Sequence, residues 1–170
     1  MSQASVRAAY RKKLATNPDG EIALDTIEIS HPSMSKTYWL VADHDPLTAT
    51  LEDGRVIEFE PSSCNVLGGG NNNDLDQQAS FTIADPYNVL DDEMERIALS
   101  SNTYPKFTFR TFLLSDLSYP ARGPITYDAQ SITQQKGVFT ASVGVPRLNQ
   151  RGTGLIATPA DIPLLRGILA

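Results

Sequence analysis

Thr48-Ala49-Thr50-Leu51-Glu52-Asp53-Gly54-Arg55-Val56-Ile57-Glu58-Phe59 reads as two short β-type runs with a reversal at Asp53-Gly54. An Asp-Gly pair suits a type I′ turn, whose two central residues need positive φ. That register predicts Glu52 opposite Arg55, a favourable cross-strand pair. The stretch sets the expectation for the whole chain: antiparallel β-structure built from short strands and tight turns.

The same pattern continues on both sides. Ile22–Ile29 alternates toward its end and stops at His31-Pro32. Thr37–Ala42 is aromatic and β-branched and stops at Asp43-His44-Asp45-Pro46. Ala79–Ala84 is a further strand. Phe107, Phe109, Thr111 and Leu113 alternate with Lys106, Thr108 and Arg110 in a strand expected to be half-buried. A turn-rich bridge from Ser115 to Pro124 leads to Ile125–Thr133, and Gln134-Gln135-Lys136-Gly137 reverses the chain into Val138–Val145.

Two segments carry helical periodicity. Near the N-terminus Val6, Tyr10 and Leu14 recur at helical spacing, Ser5 is placed to cap, and Asn17-Pro18-Asp19-Gly20 is turn chemistry throughout. After Asp85-Pro86 a second helix is predicted, with Leu90, Met94, Ile97, Ala98 and Ser101 on one stripe. Asp91, Asp92 and Glu93 then sit near its positive dipole end as solvent-facing residues. Residues 68–78 are polar and of low complexity, and Pro146 to Ala170 is rich in proline and glycine.

The expectation is one domain over residues 1–170. It consists of an N-terminal basic helix at 1–16, a β-rich body at 21–145 and an extended C-terminal arm at 146–170. The body is predicted to be mainly β, an antiparallel sandwich or barrel of about seven to nine strands with one packed helix.

At 41% apolar and 20% charged residues the composition is that of a globular chain. No long uncharged apolar run and no N-terminal apolar segment occur, so neither a membrane protein nor a secreted precursor is expected. The net charge of −6 is unevenly spread: residues 1–15 carry +4 from Arg7, Arg11, Lys12 and Lys13, which leaves −10 for the rest. An acidic body repels phosphate, while the basic segment suits an acidic neighbour.

The chain offers little material for catalysis. Cys64, the single cysteine, lies in Pro61-Ser62-Ser63-Cys64-Asn65 with no helix start to activate it, and is read as a buried thiol. His31 and His44 are the only histidines, and no Gly-x-Ser-x-Gly elbow is present. Asp43-His44-Asp45 offers metal ligands in type, but adjacent residues rarely converge on one ion. Asn72, Asn73, Asp74 and Asp76 do not match the spacing of a calcium loop, and Gly68-Gly69-Gly70 lacks the Lys-Ser or Lys-Thr of a phosphate cradle. No enzyme activity, cofactor or metal is expected.

One resemblance spans most of the chain. Ala9-Tyr10, Leu24-Asp25-Thr26-Ile27-Glu28-Ile29-Ser30-His31-Pro32, Ala49–Gly54, the strand and acidic helix at Ile83–Ile97, and Ser115-Asp116-Leu117-Ser118 followed by Pro120 and Pro124 occur in one order. That order resembles a family of phage and prophage minor tail proteins encoded near the tape-measure and tail-tip genes. His31, Pro32, Asp53, Gly54, Ser115, Asp116, Leu117, Ser118 and Pro120 carry the signature. The resemblance implies a fold similar to tail-tube, distal-tail and baseplate-hub domains.

It further implies a non-catalytic tail-tip or distal-tail ring or hub subunit that connects tube to baseplate. Such a subunit resides in the virion after assembly in the host cytoplasm. Expected partners are copies of itself in a ring, hexameric in preference to trimeric, and neighbouring tube, hub and tape-measure proteins. Genomic DNA would be met only in passing through a lumen, and no membrane is involved. The expected interface residues are Arg7, Arg11, Lys12, Lys13, Asn71, Asn72, Asn73, Leu155, Ile156, Leu164 and Leu165. The alternative expectation is a receptor- or carbohydrate-binding β-sandwich module of the tail, which would expose an aromatic patch around Trp39.

Overall fold

The computed structural model describes residues 3–16, 20–68, 78–98 and 103–144. In chain order the elements are α1 (Gln3–Thr16), β1 (Ala23–Ser30), β2 (Tyr38–Val41), β3 (Leu47–Thr50), β4 (Val56–Pro61), β5 (Cys64–Gly68), β6 (Gln78–Ala84), α2 (Val89–Glu95), β7 (Lys106–Leu113), β8 (Arg122–Gln135) and β9 (Val138–Gly144). The fold is mainly β, as the alternation predicts. The strands form one sheet in the order β3-β4-β2-β1-β7-β8-β9-β6-β5. It is mixed rather than purely antiparallel, because β2 and β4 pair in parallel at Leu40 with Glu60 and Val41 with Pro61.

The sheet curls without closing, so of the two expected forms, sandwich or barrel, the barrel does not form. Two observations define the curl. Phe81 on β6 stacks on Phe107 of β7 at 5.6 Å between ring centroids, although β9 and β8 lie between those strands. In a flat sheet three strand spacings of about 4.8 Å would separate them. Moreover, β4 leads into β5 across only Ser62 and Ser63, yet β5 is an outer strand at the far end of the order. The three residue steps from Pro61 to Cys64 span at most about 11 Å, so the two ends of the sheet lie close together.

A central platform of β1, β2 and β7 is buried on both faces. One face carries Ile27, Ile29, Tyr38, Leu40, Phe107 and Phe109 into the main core, where Phe81, Ile83, Phe139 and Val143 from the returning strands meet them. The other face carries Leu24, Val41 and Phe112, and the β3–β4 hairpin covers it with Leu47, Ala49, Leu51 and Phe59. β7 is therefore buried along nearly its whole length, not half-buried as its alternation suggests. Each fully buried phenylalanine contributes about 2–3 kcal/mol relative to an exposed one.

Several local readings are corrected by the structure. Among the described residues other than glycine, only Asn88 and Lys136 have positive φ, so Asp53 does not. Gly54 alone is left-handed at φ 84, and the Leu51 amide donates to the Arg55 carbonyl at 2.8 Å. This is a type I turn with a glycine bulge, not type I′. The two-residue turn with both φ positive is instead Lys136-Gly137, between β8 and β9.

Cys64, expected as a buried thiol, is half-buried and opens strand β5. The second helix is also shorter than expected, seven residues at Val89–Glu95. Its start is tied down by the buried Asp85 carboxylate, which accepts from the amides of Val89 at 2.8 Å and Leu90 at 2.9 Å. Ser5 lies inside α1 rather than at its cap. Residues 146–170, the Asn71-Asn72-Asn73 run, Val145 and Ser101 lie outside the described residues.

Candidate functional site

An organised polar group among the described residues sits at the rim of the hairpin-covered core. Arg110 on β7 is almost fully buried. Its Nε and Nη2 donate to Glu52 at 2.9 and 2.7 Å, and its Nη1 donates to Glu28 on β1 at 2.8 Å. The guanidinium also lies 5.9 Å from the centre of the Trp39 ring, and Trp39 packs edge-on to Phe59.

Burial works against the arginine charge, but the Glu52 and Glu28 carboxylates outweigh it and hold the pKa above its ordinary value. The Arg110 hydrogen bonds in turn hold Glu52 below its ordinary value. The expected Glu52–Arg55 pair does not form. Arg55 instead reaches back to Asp53 at 2.6 Å, because the bulged turn aims Glu52 inward. The cluster fastens the hairpin to the platform.

The signature residues serve the same framework. His31 is buried, with Nε2 at 2.9 Å from the Thr103 hydroxyl and Nδ1 accepting from the Ser33 amide at 3.1 Å. Asp53 and Gly54 form the exposed hairpin tip, and Pro32 is exposed. Ser115 donates to Glu21 at 2.9 Å, and Asp116 accepts from the Ser118 amide at 3.0 Å. Leu117 packs under the hairpin while its carbonyl accepts from the Thr50 amide at 2.9 Å, and Pro120 is buried.

The thiol and one imidazole do come together. Ala42, Asp43, His44, Ser62, Ser63 and Cys64 line one shallow depression. Burial, and secondarily the Asp25 charge, push the Cys64 thiol up to about 11, which is the reverse of an activated nucleophile. Among the described residues no group of three or more His, Cys, Asp or Glu side chains is placed to hold a metal ion. No described helix is long and apolar enough to cross a membrane.

The two helices carry exposed charge of opposite sign. α1 attaches through Val6, which is buried against Leu113 and Ala121, with Tyr10 packed beside them. Leu14, at the third position of the predicted stripe, is 69% exposed. Gln3 donates to the Tyr119 hydroxyl at 2.6 Å, Arg7 lies over the Tyr119 ring at 6.0 Å, and Lys13 donates to the Glu21 carbonyl at 2.7 Å. Arg7, Arg11 and Lys12 face solvent, and Arg11 and Lys12 have no ion-pair partner among the described residues.

On α2, Asp92 and Glu95 are exposed and Asp91 is half-buried, beside Tyr87 at 85% and Val89 at 45% exposure. Glu93 is not solvent-facing as its place in an acidic run suggests: it is buried and accepts from the Ser35 hydroxyl at 2.6 Å and amide at 2.8 Å. Those bonds hold its carboxyl below the ordinary range. No sequence signal announces this, since Ser35 lies 58 positions away.

Comparison with curated proteins gives no match. Comparison with protein families matches residues 9–146, from the middle of α1 past the end of β9, to the family described as "Domain of unknown function (DUF1833)". The match covers most of the chain, and the protein belongs to that family.

Proposed function

We propose that this chain is a structural, non-catalytic component of a bacteriophage tail, a ring or hub subunit at the tail tip that joins tube to baseplate. The observation that carries the reading is where the tail-protein signature falls. Glu28, His31, Glu52, Asp116 and Leu117, all within the matching segments, make contacts that hold the curled sheet and its hairpin together, while His31 also lines a surface depression. A sequence pattern devoted to shape suits a building block. The outward basic and acidic helices and β5, an end strand of the described sheet, then supply surfaces for neighbours.

The half-buried Trp39, packed on Phe59 and Arg110, further supports this over a glycan platform. One feature favours the receptor- or carbohydrate-binding alternative. Tyr104, 62% exposed, borders a depression lined by Ser30, His31, Pro32, Thr37, Thr103 and Lys106, two of which, His31 and Pro32, belong to the signature.

Deletion of the gene from an inducible phage, with mass spectrometry of purified particles, tests the proposal. The chain is expected in wild-type tails at fixed stoichiometry, and its deletion is expected to leave tails unfinished. Complete, infectious particles without the protein would overturn the reading.

A further inference from the structure

We infer that the basic outer face of α1, carrying Arg7 and Arg11, docks on the acidic α2 surface, Asp92 and Glu95, of a second copy of this chain. The contact is head-to-tail. This deepens the reading of the protein as an assembling subunit and rests on it.

The two surfaces lie at opposite ends of the molecule. α1 is seated on Leu113, the last residue of β7. α2 is fixed through Glu93 to Ser35, in the turn between β1 and β2, beyond the place where Ser30 pairs with Lys106, the first residue of β7. The eight residues of β7 at about 3.3 Å each put roughly 26 Å between those ends. A helix cannot reach the complementary patch on its own chain across that distance. It can reach the patch on the next copy.

Clustering of charge distinguishes α2 among the acidic groups, since Asp43 and Asp45 between β2 and β3, Glu58 on β4 and Asp128 on β8 also lack an ion-pair partner among the described residues but are dispersed. Asp53 and Glu60 are ion-paired to Arg55 and Lys36, and Glu28 and Glu52 are held by Arg110. Asp25, Asp85 and Asp116 accept hydrogen bonds within the fold. On α2, Arg96 is matched by Glu93 at 3.6 Å, which leaves Asp91, Asp92 and Glu95 without an ion-pair partner among the described residues. No other described element carries three such carboxylates.

Each surface also has apolar area to bury: Ala4 and Ala8 beside Arg7 and Arg11 on α1, and Tyr87 and Val89 beside the α2 acids. The surfaces differ and sit at opposite ends, so the contact is heterologous, and repeated copies close into a ring or run on as a filament.

A charge exchange tests this with the full chain. Sedimentation velocity should show wild-type multimers at low salt that dissociate at about 1 M salt, where screening is nearly complete. Arg7→Glu/Arg11→Glu and Asp92→Lys/Glu95→Lys should each lower self-association about tenfold or more, because each sets like charges against each other. An equimolar mixture of the two variants should associate again, since every reversed face then meets an opposite one.

Arg11→Glu with Asp92→Lys serves as the milder pair if Arg7→Glu detaches α1 from Tyr119, and an unchanged thermal midpoint confirms folding. Wild-type association by either charge-reversed variant, a mixture that stays monomeric, or a wild-type chain monomeric at low salt overturns the contact. A failed exchange with the chain present in phage particles removes this contact and leaves the tail reading standing. A successful exchange with the chain absent from particles does the reverse.

Discussion

Arg110 and Glu52 form a two-point ion pair at 2.7 and 2.9 Å that fastens the tip of the β3–β4 hairpin to the central strand β7. Removing one partner leaves the other group short of the bonds that offset its burial. Arg110→Ala is expected to cost about 3 kcal/mol, and Arg110→Lys to recover little, because an ammonium cannot reproduce the fork. Urea denaturation measures both. A midpoint unchanged in Arg110→Ala would show that the hairpin is held by Phe59 and Leu51 alone.

The pH dependence follows from the same pair. The Glu52 carboxyl lies below its ordinary value of 4.5 through its bonds to Arg110, and Glu93 lies below the same value through Ser35. A depressed carboxylate contributes stability above its unfolded value and loses it as pH falls through the folded one. Stability should therefore be level above pH 4.5 and fall below it. Glu52→Gln and Glu93→Gln should each flatten that fall, as read from thermal midpoints between neutral and strongly acidic buffers. An acid slope identical in wild type and both variants would remove these groups as its source.

The hairpin is where the sequence is most informative and also where it misleads. Asp53-Gly54 marks the reversal correctly, but the residue pattern does not distinguish two left-handed positions from one. The difference of one bulged residue sends Glu52 to Arg110 instead of Arg55. Strand identity was legible wherever β-branched and aromatic residues alternate. β5 was not, because Cys64-Asn65-Val66-Leu67-Gly68 is only five residues long and holds one β-branched and no aromatic residue. The inward Glu93 and the second burial of β7 arise from contacts far apart in sequence, which local periodicity does not encode.

Two glycines separate conformational strain from collision. Gly54 has φ 84 with open space around it, whereas a Cβ on Gly123, at φ 92, would stand 2.6 Å from the Phe109 carbonyl oxygen. Gly54→Val should cost about 1–3 kcal/mol from strain. Gly123→Ala should cost more, although alanine is the smaller residue. Equal denaturant midpoints for the two variants would contradict the close packing of β8 on β7.

Cys64 gives a chemical test of the depression it lines. With the thiol at about 11, iodoacetamide should react slowly at neutral pH, and the rate should climb until the pH approaches that value. A fast, pH-independent reaction near neutrality would mean a thiolate, and would reopen the pairing with His44.

The central claim, a tail-tip building block, is tested most directly by electron cryomicroscopy of the intact particle. The account predicts a ring of curled-sheet subunits at the distal end of the tube, six in preference to three, each with its basic N-terminal helix against the acidic α2 of its neighbour. A tail tip whose density is fully accounted for by other chains, with no subunit of this fold, would contradict it.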